Sequence, residues 1–96
     1  MEVIDYEKVL AKACSDVAKE KKRQLKKWGI QRHSYPAWRA IFDEELAEVA
    51  CQVIAAEENG YDELTHVLAV GLSWLMDILL TEDAQGQRIY IRKKGG

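Results

Sequence analysis

Four acids crowd into six residues in the stretch Phe42-Asp43-Glu44-Glu45-Leu46-Ala47-Glu48-Val49-Ala50. At about 100° per residue, Phe42, Leu46, Val49, Val53 and Ala56 share one arc of a helix, and Glu45 and Glu48, at i and i+3, border it. A solvated acidic stripe would sit opposite the core. Further on, Glu63, His66, Ser73 and Asp77 form one narrow polar stripe on a segment otherwise filled by Leu64, Val67, Leu68, Val70, Leu72, Trp74, Leu75, Met76, Ile78, Leu79 and Leu80. Clustered carboxylates repel one another unless something neutralises them. A hard divalent cation does this, taking oxygens from a few carboxylates, water and phosphate. The E-x-x-E spacing alone is common on helices and reads first as a solvated face with helix salt bridges. Glu63, at the head of a largely apolar helix, adds the weight that the spacing lacks.

The cations lie elsewhere. Lys19 to Lys27 holds six Lys or Arg, while Asp43 to Glu63 holds eight acids and no base. That asymmetry suits an anionic ligand bridged by cations. One or two of Arg23, Lys26, Lys27 and Arg32 would meet phosphates as charge-assisted donors. The rest of the basic stretch reads as a solvated face. Trp38, beside the loop that carries His33, offers an aromatic face for stacking. Trp28 covers the end of the first helix or lines the same pocket, and Trp74 reads as core. His33 equally suits an exposed loop position.

Three helices position these groups, giving an all-α fold. The first spans about 5–27, where Tyr6, Val9, Leu10, Ala13 and Val17 recur every three or four residues and Gly29 can take the left-handed cap. The second spans about 36–58, with Pro36 in its first turn, Ser34 or Tyr35 at the cap and Asn59-Gly60 as the stop. The third spans about 61–82. The very short connection makes helices two and three an antiparallel hairpin. Residues 84–96 form a tail, in which Arg88 to Arg92 alternate like a short strand. Ninety-six residues suit one domain, 1–96, with a modest core. A third helix apolar nearly all round implies a partner subunit.

Here the sequence resembles a family. Glu44-Glu45-Leu46-Ala47-Glu48, fourteen residues, then Glu63-Leu64-Thr65-His66 is similar to the E-E-x-x-E … E-x-x-D signature of the MazG-like, all-α nucleoside triphosphate pyrophosphohydrolases. Lys27-Trp28-Gly29-Ile30-Gln31-Arg32-His33, followed by Trp38, resembles the K-W-G-x-Q-x-H … W segment of short MazG-like proteins, many of them from phages and bacteria. The resemblance covers about residues 20 to 80. It implies a helical bundle completed as a homodimer or homotetramer. It also implies hydrolysis of (d)NTPs to (d)NMP and pyrophosphate with Mg²⁺ or Mn²⁺. Carried over, Glu45, Glu48 and Glu63 are metal ligands, and Glu44 is a ligand or orients the attacking water. Lys27, Trp28, His33 and Trp38 bind substrate. His66 stands where the family has its fourth ligand, Asp. Imidazole is a poor partner for Mg²⁺ and a better one for Mn²⁺, Zn²⁺ or Ni²⁺. The site then binds fewer or other metals, or Asp62 or Asp77 substitutes, or the scaffold survives without hydrolysis. Asp77, three turns on and about 16 Å away, is too far to join the same site.

Two rivals follow. One is a catalytically lapsed module that binds nucleotide or a protein partner, favoured by His66. The other is a basic helix that binds nucleic acid, against which the acidic stretch and the net charge of −2 speak. Cys14 and Cys51 form no C-x-x-C pair and read as reduced, partly buried thiols. The N-terminus has acids where a signal peptide has bases, and the apolar run Val67 to Leu80 is short for a bilayer span. The expected location is cytoplasmic, with no membrane partner.

Overall fold

The computed structural model describes residues 4–56 and 59–84. They form three helices, α1 (Tyr6–Trp28), α2 (Tyr35–Ala56) and α3 (Tyr61–Ala84), with no strand among the described residues. The strand-like alternation at 88–92 lies outside them, as does most of the expected tail.

Local chemistry sets the helix ends. Asp5 caps α1, its side chain accepting from the Lys8 N–H at 3.2 Å. Glu7 in the first turn and Lys26 and Lys27 in the last complement the helix dipole. Gly29, at φ 76, ends α1 by donating its N–H to the Leu25 carbonyl at 2.8 Å. Ser34 starts α2: its carbonyl accepts from the Trp38 N–H at 2.9 Å, and its hydroxyl from the Ala37 N–H. Pro36 sits in the first turn, where its missing N–H costs nothing. Before α3, the Asn59 side chain accepts from the Tyr61 N–H at 2.9 Å. Gly60, at φ 74, brings its backbone so close to Val53 that a Cβ would stand 2.3 Å from Cγ2.

Packing places α3 between α1 and α2, whose backbones stay apart among the described residues. Contacts between α2 and α3 run in opposite order: Trp38 meets Asp77, Glu45 meets His66, and Val53 meets Gly60. Between α1 and α3 they run the same way, Asp16 with Tyr61 and Glu20 with His66. Gly71 admits the Phe42 ring, which would lie 3.2 Å from a Cβ there.

The core is small: Trp38, Val67, Ala69 and Val70. Trp74 is half-buried rather than buried, in an aromatic cluster with Tyr35, Trp38 and Phe42. On α3, Leu64, Leu68 and Leu75 remain 44%, 46% and 55% exposed. The burial expected for this helix is therefore incomplete within one chain, because three helices with α3 in the middle cover only two of its sides. Tyr6, Val9 and Leu10 of α1 are exposed as well. Cys14 and Cys51 are free, and both are exposed rather than partly buried, because their helices turn those positions away from α3. Tyr61–Thr81, with mean hydropathy 1.6, is long and apolar enough to cross a membrane by length and composition. Its His66, Ser73 and Asp77 all find hydrogen-bond partners within the bundle.

Candidate functional site

Two cavities open where the three helices come together. The acidic one, about 500 Å³, is lined by Glu45 and Glu48 of α2, Asp62, Glu63 and His66 of α3, and Arg23, Lys27 and Trp28 of α1. The aromatic one, about 340 Å³, is lined by Lys21, Gln24 and Trp28 of α1, Gln31 and His33 of the connecting segment, Trp38 and Glu45 of α2, and His66 of α3. Trp28, Glu45 and His66 line both, so the two adjoin. Glu45, Glu48, Glu63 and His66 are thus brought to one cavity, and Trp28, His33 and Trp38 to its neighbour. Glu44 is exposed and lines neither. On the α2 wheel it falls beyond Glu48, away from Glu45.

His66 sits at the centre of a polar network. Its Nδ1 lies 2.9 Å from Glu20 Oε2, and its Nε2 lies 3.1 Å from Glu45 Oε1. Both ring nitrogens are engaged by carboxylates on opposite sides, so the ring ties α1 to α2 through α3. In this arrangement neither nitrogen is free to ligate a cation, as the fourth-ligand position would require. Gln24, 5% exposed, backs the ring: its Nε2 lies 3.0 Å from Glu20 Oε2, 3.3 Å from His66 Nδ1 and 3.3 Å from the His66 carbonyl. Arg23 donates to both oxygens of Glu20, at 2.9 and 2.7 Å. Arg23 holds the Glu20 carboxyl down to about 2 against the opposing effect of burial, with help from Gln24 and His66.

Sequence reasoning missed Glu20 and Gln24, which it absorbed into a basic face. The available signal was their position. They extend the α1 stripe Ala13, Val17 by i+3 and i+4 steps, where further apolar residues would be expected.

The aromatic cavity has one open ring and one closed one. Trp28 is 48% exposed, and Lys27 Nζ lies 4.9 Å from its ring centre. Trp38 is 2% exposed and donates its indole N–H to Asp77 at 2.7 Å. Of the two, Trp28 has the free face for stacking, and Trp38 forms a wall. The His33 ring meets Trp38 edge-on, centroids 4.8 Å apart. Asp77 is occupied by three donors, from Trp38, the His33 N–H and Arg32. That, besides its distance, removes it from any ligand set.

Among the described residues, no three His, Cys, Asp or Glu side chains are gathered closely enough to hold a metal ion by themselves. Glu45, Glu48 and Glu63 nevertheless present hard carboxylate oxygens to one cavity. That donor set fits a cation that keeps several waters and is completed by substrate phosphates, as Mg²⁺ does. Comparison with protein-family models, with curated proteins and with solved structures finds no match for this chain.

Proposed function

We propose that the chain is a divalent-metal-dependent nucleoside triphosphate pyrophosphohydrolase of the MazG-like kind. The observation that carries this reading is the adjacency of the two cavities: carboxylates Glu45, Glu48 and Glu63 line one, Trp28, His33 and Trp38 line the other, and Glu45 belongs to both. A nucleotide laid across them puts its phosphates among carboxylates and its base against indole. The antiparallel hairpin of α2 and α3 supplies the acidic groups, and a second copy of the chain, as homodimer or homotetramer, covers the exposed leucines of α3.

Glu45, Glu48 and Glu63 would hold Mg²⁺ or Mn²⁺. When bound, such an ion neutralises phosphate charge and lowers the cost of activating water. Water cleaves the anhydride between the α and β phosphorus atoms. One phosphorus gains the water oxygen, the other keeps the bridging oxygen, and the water proton passes to a carboxylate. Glu44, which lines neither cavity, is poorly placed to take that proton. Lys27 and Arg23, at the same cavity, are the cations nearest to hand for the pyrophosphate charge.

A second reading has its own observation. His66, held between Glu20 and Glu45, restrains a carboxylate that metal binding needs. That favours a lapsed module which binds nucleotide without splitting it. Pyrophosphate release from a panel of NTPs and dNTPs, with Mg²⁺ and Mn²⁺ in parallel, separates the two. The enzyme reading expects turnover by the natural chain and a loss of about 100-fold or more in Glu48→Gln. Turnover appearing only in His66→Asp means the lapsed module. A Glu48→Gln variant as active as the natural chain removes the acidic cavity from the reaction.

A further inference from the structure

The segment between α1 and α2, residues 29–34, carries Gln31 and His33 to the aromatic cavity, and one buried carboxylate on α3 holds it there. Asp77 is 5% exposed. Its Oδ2 accepts from the Trp38 indole N–H at 2.7 Å and from the His33 backbone N–H at 2.9 Å, and its Oδ1 accepts from Arg32 Nε. Arg32 also donates from Nη2 to the Thr81 hydroxyl at 3.0 Å, one helical turn further along α3. No other acceptor for the Trp38 indole or the His33 amide is found among the described residues. The rest of the wall hangs from these two. The His33 ring rests on Trp38, and its Nε2 lies 3.3 Å from Gln31 Oε1.

We propose that Asp77 is a positioning residue for the nucleobase end of the site, with Arg32 as its outer tether: the carboxylate fixes His33 and the Trp38 ring as the wall of the aromatic cavity. The ligand in this inference rests on the function proposed above, while the geometry does not. Asp77 does not line the aromatic cavity and acts on it only through the residues it holds. An indole has a single N–H, so the acceptor it meets sets the ring's rotation. A carboxylate satisfies three donors because both its oxygens are acceptor-only. An amide of the same shape has one acceptor oxygen and turns an NH₂ either towards Arg32 or towards the Trp38 and His33 pair, leaving at least one of the three donors unpaired. The opposing pressures on the carboxyl agree with this. Burial pushes it up, and donation from Trp38, His33 and Arg32 brings it net below the ordinary carboxylate range.

The test compares two probes on the full chain with Mg²⁺: a dNTP, which engages both cavities, and inorganic tripolyphosphate, which engages only the acidic one. Asp77→Asn is expected to weaken dNTP binding tenfold or more and to leave tripolyphosphate binding within twofold. Arg32→Gln, which alters a half-exposed side chain and so does not threaten folding, shifts dNTP binding in the same direction by less. Equal losses for both probes, or no loss for either, overturn the proposal. If the natural chain binds the dNTP no better than tripolyphosphate, the function reading loses its base pocket. The positioning role is then decided by hydrogen exchange at the His33 amide and the Trp38 indole. Faster exchange in both variants, with α1 amides unchanged, supports it, and retained protection overturns it.

Discussion

Glu20 shows what a single residue contributes here. It is a carboxylate inside the most basic stretch of the chain, and it is useful because it is pinned. Arg23 and Gln24 hold it against His66, and His66 in turn reaches Glu45. Its carboxyl sits at about 2 when folded against an ordinary 4.5. A depressed value favours the folded state wherever the group is ionised in both states. The contribution is therefore complete above pH 4.5 and is lost as pH falls from there towards 2. Its size is on the order of 1 to 3 kcal/mol, discounted because Arg23 is half exposed. Thermal unfolding across that window is the measurement. The natural chain should lose stability more steeply than Glu20→Gln, and the two curves should converge near pH 2. Parallel curves would remove Glu20 from the acid transition.

At the scale of elements, two glycines with nearly the same φ have different costs. Gly29 and Gly60 both lie at positive φ, 76° and 74°. Around Gly29 nothing stands within 4 Å of a Cβ, whereas at Gly60 the Cβ would meet Val53 Cγ2 at 2.3 Å. Gly29→Ala, at φ 76 and ψ −170, meets only the backbone penalty of the positive-φ extended region, about 1 to 3 kcal/mol. Gly60→Ala adds a steric overlap at the point where α3 leaves α2, and is expected to cost about 3 kcal/mol or more in all. Denaturant midpoints of the two variants check the order. A Gly60→Ala chain as stable as Gly29→Ala would mean that the approach of Val53 is not needed. The functional consequence differs too. Gly29 bounds the segment that carries Gln31 and His33, while Gly60 sets where Glu63 and His66 begin their stripe.

For the whole molecule, the open question is what lies over the exposed side of α3. Leu64, Leu68 and Leu75 recur along one face at i, i+4 and i+11, with Met76 and Ile78 beside them. Two helices flank α3 and leave this face bare. We expect a second copy to cover it, burying on the order of 800 Å² or more per chain. Sedimentation should give a dimer or larger assembly, with a melting temperature that rises with protein concentration. Leu68→Lys should shift the species towards monomer and flatten that concentration dependence. A natural chain that sediments as a monomer at all concentrations would overturn the expectation, and the site would then have to work as a single chain.

The helical pattern was legible because it is local. The periodicity of Tyr6, Val9, Leu10, Ala13 and Val17, the cap at Ser34 with Pro36, and the punctuation at Gly29 and Asn59-Gly60 depend on neighbours within four residues. The observed α1, α2 and α3 begin or end within about two residues of the expected bounds. The gathering of Glu45, Glu48 and Glu63 was partly legible as well, since one polar border on each of two helices is a property of spacing. Three matters were not. Glu20 and Gln24 look like members of a basic run until the face they occupy is known. The partners of His66 and Asp77 come from residues 21 to 46 positions away, and no spacing rule spans that separation. Which tryptophan keeps an open face depended on where its N–H found an acceptor. Composition and period determined the helices and the residues that could do chemistry. Tertiary contact alone decided that His66 would bridge two carboxylates, that Asp77 would anchor a loop, and that Trp28 rather than Trp38 would keep an exposed ring, because each depends on which distant helix supplies the partner.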